Sequence, residues 1–271
     1  EEPIDLVQAL SAPLPLMTLA ELLGVPGEMW TDLYHWTNAF VGEDDPEFRQ
    51  SPEAMAATLG EFFGFIEELY QQRMAEPGGD LASLLAQATI DGERVPFGEF
   101  AANMALALVG GNETTRNSIS HTICAFAAHP AEWEKLRANR ELIKNAPAEM
   151  VRYASPVMHM RRTATRDTEI AGQAIAKGDK VVLWYVSGNR DEAVYTDPDR
   201  FDIERLPRNH VGFGTGQHVC VGSRLAEMQL RVVFAMLVER VSRFELLATP
   251  RRFRSNFING LKNLDVVLHP A

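Results

Sequence analysis

The 271-residue chain is 46% hydrophobic and 23% charged, enough to bury a sizeable core in one large domain or two smaller ones. Its 37 acidic against 26 basic residues, a net charge of −11, exclude a nucleic-acid surface and disfavour an acidic membrane face, both of which need clustered Lys and Arg. Two distant cysteines exclude the disulfide framework of a small secreted domain, and no apolar run reaches the roughly 18 residues of a membrane span, so a cytoplasmic monomer is expected.

The first half reads as helices joined by short breaks. In "PLPLMTLAELLGVP", Leu14, Leu16, Met17, Leu19, Ala20, Leu22 and Leu23 form a helical pattern that stops at Gly24 and Pro26. Trp30, Leu33, Trp36, Thr37 and Phe40, spaced by three and four, give a second helix. The acidic, Pro-bearing break "VGEDDPEFRQSPE" predicts a mobile loop. A long amphipathic helix follows in "AMAATLGEFFGFIEELYQQRMAE", ended by Pro77, Gly78 and Gly79. "DLASLLAQA" is a short helix and "TIDGERVP" a turn or small hairpin. "FGEFAANMALALVGGNETTRNSISHTICAFAAH" is a very long helix with a polar interruption in its middle.

Two further helices lie in "PAEWEKLRANRELIKNAPAEMVRYASP", divided near Asn145 and Pro147. The texture then changes: "HMRRTATRDTEIAGQAIAKGDKVVLWYVSGNRD" alternates and is rich in Thr, Val and Ile, predicting short strands that turn at Gly172 and at Gly178. An irregular stretch leads to a last long helix, "SRLAEMQLRVVFAMLVERVSRF", and the tail "FINGLKNLDVVLHP" predicts one more hairpin. With no repeat and no linker, a mainly α fold with a small β region, one unit over residues 1–271, is expected.

The 28 residues from Tyr195 to Gly222 are a longer irregular connection than a compact domain normally carries without a function. They end in "FGTGQHVCVG", which sets Cys220 just ahead of the last helix. A thiol ligates or attacks as the thiolate, and helix N-termini favour that negative charge. Gly214, Gly216 and Gly222 let the backbone pass close to a flat object. Read alone, Cys220 also fits a buried cysteine in a glycine-rich turn. Zinc is disfavoured because no second cysteine lies nearby, and a nucleophile with His218 as base is disfavoured because the two residues are not aimed at each other.

Phe213-Gly-x-Gly-x-His218-x-Cys220-x-Gly222 resembles the haem-binding loop of the cytochrome P-450 superfamily at every specified position. That family's haem is ligated by a cysteine thiolate. Two further segments carry the resemblance. Glu149-Met-Val-Arg152 has acid and guanidinium one turn apart on a helix; alone it is equally a surface ion pair worth about 0 to 1 kcal/mol. In the family such a pair is buried and joined by a second Arg, here Arg205. Gly110-Gly111-Asn112-Glu113-Thr114-Thr115 puts two glycines mid-helix at about 1 kcal/mol each, which helix–helix packing also explains. It is similar to the family's oxygen-activation motif, with Glu113 where many relatives have Asp.

The resemblance implies a helical P-450 fold and a haem b with Cys220 as axial thiolate. It gives Thr114 as the hydroxyl that binds oxygen and Glu113 as the proton-relay acid. His218 with Arg162 or Arg161 become propionate partners, and Phe213 packs by the sulfur. The implied reaction uses O2, two electrons and two protons to place one oxygen in a C–H bond and release the other as water. Electrons are expected from an external ferredoxin and its NAD(P)H-dependent reductase, with Arg224 and Arg231 offering a basic patch. Substrates are expected to be apolar: an alkane, fatty acid, terpenoid or steroid side chain, in a pocket with Leu106, Val157, Met158, Met160 and Phe257. The family's N-terminal region is missing from the sequence, so either the chain is part of a longer enzyme or it is a truncated, non-catalytic haem-binding relic. The intact Glu113-Thr114 pair argues against a peroxide-driven or dehydrating haem-thiolate enzyme.

Overall fold

The computed structural model describes residues 2–271, which divide into two compact units. The first holds the described chain up to Ser120 together with Glu245–Ser255 and Gly260–Leu268; the second holds His121–Phe244, Asn256–Asn259 and His269–Ala271.

In the first unit, strand β1 (Ile4–Asp5) is followed by helices α1 (Pro13–Leu23), α2 (Trp30–Val41), α3 (Pro52–Ala75) and α4 (Leu81–Gln87). Strands β2 (Thr89–Ile90) and β3 (Glu93–Arg94) then form a hairpin, and helix α5 (Phe97–Ala128) follows. Local chemistry sets the ends. Pro13 opens α1, and Gly24 closes it at φ +71°, where a Cβ would stand 2.6 Å from the Asp80 carboxyl carbon. Ser51 caps α3 by accepting from the Ala54 N–H, and Asp80 caps α4 by accepting from the Ser83 N–H at 2.7 Å. Asp91 and Gly92, both with positive φ, make the β2–β3 turn. Leu16, Leu19, Leu33, Trp36, Phe62, Ile66, Phe100 and Met104 share one buried core.

The "VGEDDPEFRQSPE" break departs from the expected mobile loop, because it is pinned to the C-terminal residues of the same unit. Asp45, fully buried, accepts from the backbone N–H of Glu47 (3.0 Å) and of Arg254 (2.8 Å) and pairs with Lys262 at 3.2 Å. Glu47 pairs with Arg251 and, at 3.1 Å, with Lys262, while the Phe48 and Phe253 rings lie 5.5 Å apart. Strands β9 (Arg251–Arg252) and β10 (Leu261–Asn263) carry these cations.

The second unit contains helices α6 (Pro130–Ala138), α7 (Ala146–Ala154), the single turn α8 (Tyr185–Gly188) and α9 (Ser223–Arg240). Two antiparallel pairs supply its β region: β4 (His159–Thr163) with β7 (Lys180–Trp184), and β5 (Thr168–Ile170) with β6 (Gln173–Ile175). Strands β8 (Val241–Leu246) and β11 (Asp265–Pro270) complete the chain. The helical break expected near Asn145 is double: Asn139 accepts from the Glu141 N–H to start a 3-10 turn, and α7 begins only at Ala146. Phe126, Trp133, Phe201, Phe234 and Phe244 form an aromatic core, with centroids 4.7 to 5.6 Å apart for Trp133–Phe244, Phe126–Trp133, Phe126–Phe201 and Phe126–Phe234. The stretch from Tyr195 to Gly222 has no regular element beyond a 3-10 turn at Gly216–His218.

Candidate functional site

In the second unit the cysteine loop is folded by its own backbone. The Cys220 N–H donates to the Phe213 carbonyl at 2.8 Å, closing the loop, and the Gly214 N–H donates to Val211 at 2.8 Å. Gly214 sits at φ +67°, where a Cβ would come within 2.9 Å of the His218 carbonyl oxygen, so a side chain is excluded there. Gly216 also has positive φ. The result is an exposed Cys220 thiol between exposed Val219 and fully exposed Val221, three residues before α9 opens at Ser223. His218 is exposed, and the Phe213 ring meets the His210 ring at 5.2 Å. Arg161 is exposed and Arg162 half-buried on β4, where Arg162 donates to the Arg161 carbonyl. Among the described residues neither arginine, nor His218, pairs with a carboxylate.

The same unit holds a buried charge network. Glu149 accepts from Arg152 Nε (2.6 Å) and Nη2 (2.9 Å), from Arg205 Nε (3.2 Å) and from the Asp202 N–H (2.9 Å). Arg152 also donates to the carbonyls of Asn189, Pro198 and Arg200 and lies 5.1 Å from the Tyr195 ring centroid. Glu149, Arg152 and Arg205 are 5, 2 and 8% exposed, so the surface-pair reading of the E-x-x-R spacing does not describe them. Sequence reasoning missed Asn189. It is fully buried; its Oδ1 accepts from the Val211 N–H (2.8 Å), and its Nδ2 donates to Ser155 Oγ (2.9 Å). His210 was missed too: its Nδ1 accepts from the Gly212 N–H, and burial, aided by the Arg152 charge, pushes its pKa down to about 4. An Asn in "SGNRDE" and a His in a loop carry no local signal of these roles.

Val157, Met158 and Phe257 come together in this unit, while Met160 lies on β4 paired with Leu183. The Met158 N–H donates to the Phe257 carbonyl, and Val157 bridges Ile258 next to β4. In the first unit, α5 runs unbroken through the expected interruption. Thr114 Oγ1 donates to the Gly110 carbonyl at 2.8 Å, the back-bond that mid-helix hydroxyls favour. Leu106, Gly110 and Thr114 stand four residues apart along one stripe. Leu106 is 69% exposed, and a Cβ on Gly110 would meet nothing within 4 Å. Gly111 is tighter, with Leu19 3.5 Å from its missing Cβ. Glu113 is completely buried and bonded to Arg116, not to Thr114. A recess of about 390 Å3 opens elsewhere in this unit, beside Tyr34, Asn38 and Phe48, none of which the sequence marked.

A family model described as cytochrome P450 matches residues 17–270. The chain belongs to the cytochrome P450 family. It is 68% identical over 269 residues to a linalool 8-monooxygenase of Pseudomonas putida, covering 99% of this chain and 66% of that one. It is 41% identical over 264 residues to a steroid C26-monooxygenase of Mycobacterium tuberculosis, covering 97% and 60%. A Mycobacterium marinum cytochrome P450 solved with pseudoionone superposes with a TM-score of 0.93 at 35% identity, covering 98% of this chain and 65% of that chain. This cytochrome P450 chain therefore spans 66% or less of the length of these curated relatives, and its mainly helical fold with small sheets is the P450 fold. No helix among the described residues is long and apolar enough to cross a membrane.

Proposed function

We propose that this chain works as one haem-thiolate monooxygenase domain, over residues 1–271, and hydroxylates a small hydrophobic substrate in the cytoplasm. The observation that carries the reading is the presentation of Cys220: a loop closed by its own backbone, with glycine required at Gly214, lifts one thiol into the open ahead of a long helix. Among the described residues no group of three or more His, Cys, Asp or Glu is placed to hold a metal ion. A single soft donor would suit iron that arrives already held in a macrocycle and does not suit four-ligand zinc. Cationic Arg161 and Arg162 with His218, all without carboxylate partners among the described residues, suit the propionates of such a ring. The open Gly110 stripe with Gly111 suits a flat ligand.

When bound, haem supplies the oxygen chemistry, its thiolate ligand favouring O–O cleavage. The rest falls to the protein. Cys220 anchors the cofactor, with Phe213, Gly214, Gly216 and Gly222 shaping the loop around it. Glu149, Arg152 and Arg205 hold the backbone beneath. Thr114 offers a hydroxyl already oriented by the Gly110 carbonyl, and Glu113 supplies an acid on the same helix. The apolar side chains assigned to the substrate are Leu106 on α5 and, in the second unit, Val157, Met158, Met160 and Phe257. A ferredoxin and its NAD(P)H-dependent reductase deliver the electrons. The 68% identity to a linalool 8-monooxygenase favours a terpenoid alcohol over a steroid side chain, an alkane or a fatty acid.

The test is the reduced carbon-monoxide difference spectrum of the chain and of Cys220→Ser. The red-shifted Soret band of a thiolate-ligated haem is expected in the first and lost in the second. Its absence from the unaltered chain overturns the reading. The band with no product from any of the four substrate classes, ferredoxin and reductase supplied, points instead to a non-catalytic haem protein.

A further inference from the structure

The sequence sets an acid beside Thr114, but the structure turns that acid to another face of α5. Successive helical residues point about 100° apart, whereas residues three and four apart meet. Glu113 Oε2 lies 2.5 Å from Arg116 Nη2, with both side chains at most 2% exposed. Asn117 Nδ2 donates to the Glu113 backbone carbonyl at 2.8 Å and reaches Oε2 at 3.4 Å; Asn112 Nδ2 reaches Oε1 at 3.3 Å. Arg116 is held from its far side: Nη1 donates to Tyr34 Oη at 3.4 Å, and the guanidinium lies 5.6 Å from the Tyr34 ring centroid on α2. Thr114 Oγ1 meanwhile donates to Gly110.

We propose that Arg116, backed by Tyr34, is the positioning residue that sets where the Glu113 carboxyl points and whether it holds its proton, and thereby meters proton delivery toward Thr114. This rests on the reading of Glu113 as the relay acid. Three observations support it independently of the motif. A lone acid at complete burial stays protonated and gives up nothing; burial does push Glu113 upward, and the Arg116 charge opposes that push. Arg116 is the charged group facing Glu113 from α5 itself, and Tyr34 is the titratable group on the element packed behind it, with Asn112 and Asn117 neutral. Arg116 Nε and Asn112 Oδ1, both buried, make no hydrogen bond, so the same turn offers one donor and one acceptor to a bridging water.

The proton ledger is simple. Glu113 as carboxylate takes a proton supplied by solvent at one oxygen, leaves Arg116, and passes that proton to the Thr114 side, returning as carboxylate to the guanidinium. With Arg116 replaced by an apolar residue, nothing draws the proton off again.

The first arm of the test is infrared spectroscopy of the chain against pH, with the Glu113 carboxyl band assigned by its loss in Glu113→Gln. In Arg116→Met the protonated band is expected to persist at least one pH unit higher than in the unaltered chain, a tenfold change in equilibrium. Arg116→Lys is expected to restore the original midpoint, and Tyr34→Phe to move it part of the way. An unchanged midpoint in Arg116→Met overturns the proposal. If Arg116→Met alone fails to fold, Arg116→Gln takes its place, and a midpoint equal to that of the unaltered chain overturns the proposal likewise.

The second arm uses the haem-loaded protein. Product formed per electron pair is expected to fall about tenfold in Arg116→Met and to recover in Arg116→Lys, with substrate affinity changed less than about twofold. Equal coupling in all three sinks the metering role even where the midpoint moves. A missing thiolate signature in the unaltered chain removes the haem reading, and the infrared arm then still decides the Glu113–Arg116 relation.

Discussion

Replacing Glu149 by Ala tests the energetics of the buried network most directly. The carboxylate accepts four hydrogen bonds, three from guanidinium nitrogens at 2.6 to 3.2 Å and one from the Asp202 N–H. Its loss strands the charges of Arg152 and Arg205, neither more than 8% exposed. Breaking a buried pair from one side costs about 3–5 kcal/mol, and an abandoned N–H adds about 1 kcal/mol or more. The expected total, about 5 kcal/mol, is a large share of a typical domain's stability of about 5–15 kcal/mol. At about 2–4 °C per kcal/mol for a chain of this size, the melting temperature should fall by roughly 10–20 °C. Urea unfolding followed by circular dichroism measures it, with Glu149→Gln, which keeps the shape and loses the charge, expected between the two. A loss below about 1 kcal/mol for Glu149→Ala would place the pair in the exposed class and refute the burial argument.

Asp45 gives a second test. Burial pushes its carboxyl up, but the N–H groups of Arg254 and Glu47 and the Lys262 ammonium outweigh that and hold it below the usual 3.8. A depressed carboxyl contributes stability that is present above its ordinary range and lost as pH falls through the folded value, so the Gly42–Ser51 segment should loosen below about pH 4. At neutral pH, Asp45→Asn should speed tryptic cleavage after Arg49 by roughly tenfold; unchanged cleavage would show that the clasp does not hold the segment. His210 has the opposite charge type and the same sign of pH dependence. Its pKa of about 4 against 6.5 means the unfolded chain binds the extra proton first. Stability is therefore full above pH 6.5 and declines by up to about 3 kcal/mol as pH drops toward 4. His210→Gln should flatten that part of the stability curve, and an unaltered slope would rule out His210 as its source.

Local patterns were readable wherever the deciding contact is local. Gly24 and Pro26 end α1, and the three-residue spacing of Glu149 and Arg152 sets them on one helix face, whereas α3 opens at Pro52 under its Ser51 cap, inside the stretch read as a break. The same rule pairs Glu113 with Arg116, whereas Thr114, adjacent in sequence, diverges from Glu113 around the helix. The rest of what local reading missed depends on partners far along the chain. The acidic break reads as a free loop because its composition is that of one, yet the donors that bury Asp45 lie more than 200 residues later, at Arg254 and Lys262. Asn189 is invisible for a related reason. Its side chain satisfies one serine and one loop N–H from distant segments, and nothing in the residues flanking it signals either.

Asn189 also decides how the network should be understood. Arg152 Nη1 donates to the Asn189 carbonyl at 2.6 Å, while the Asn189 side chain receives the Val211 N–H. The Val211 carbonyl in turn receives the Gly214 N–H, and the Phe213 carbonyl receives the Cys220 N–H. One continuous run of hydrogen bonds thus leads from the Glu149 carboxylate to the backbone of the thiol-bearing residue, all within one unit. A network serving stability alone could be exchanged for apolar packing, often at no cost. Such an exchange here would leave Asn189 and the Val211–Gly214 turn without their fixed point, and the thiol would lose its position while the core remained packed. Hydrogen-bond geometry locates a loop in a way that shape-insensitive apolar contact does not.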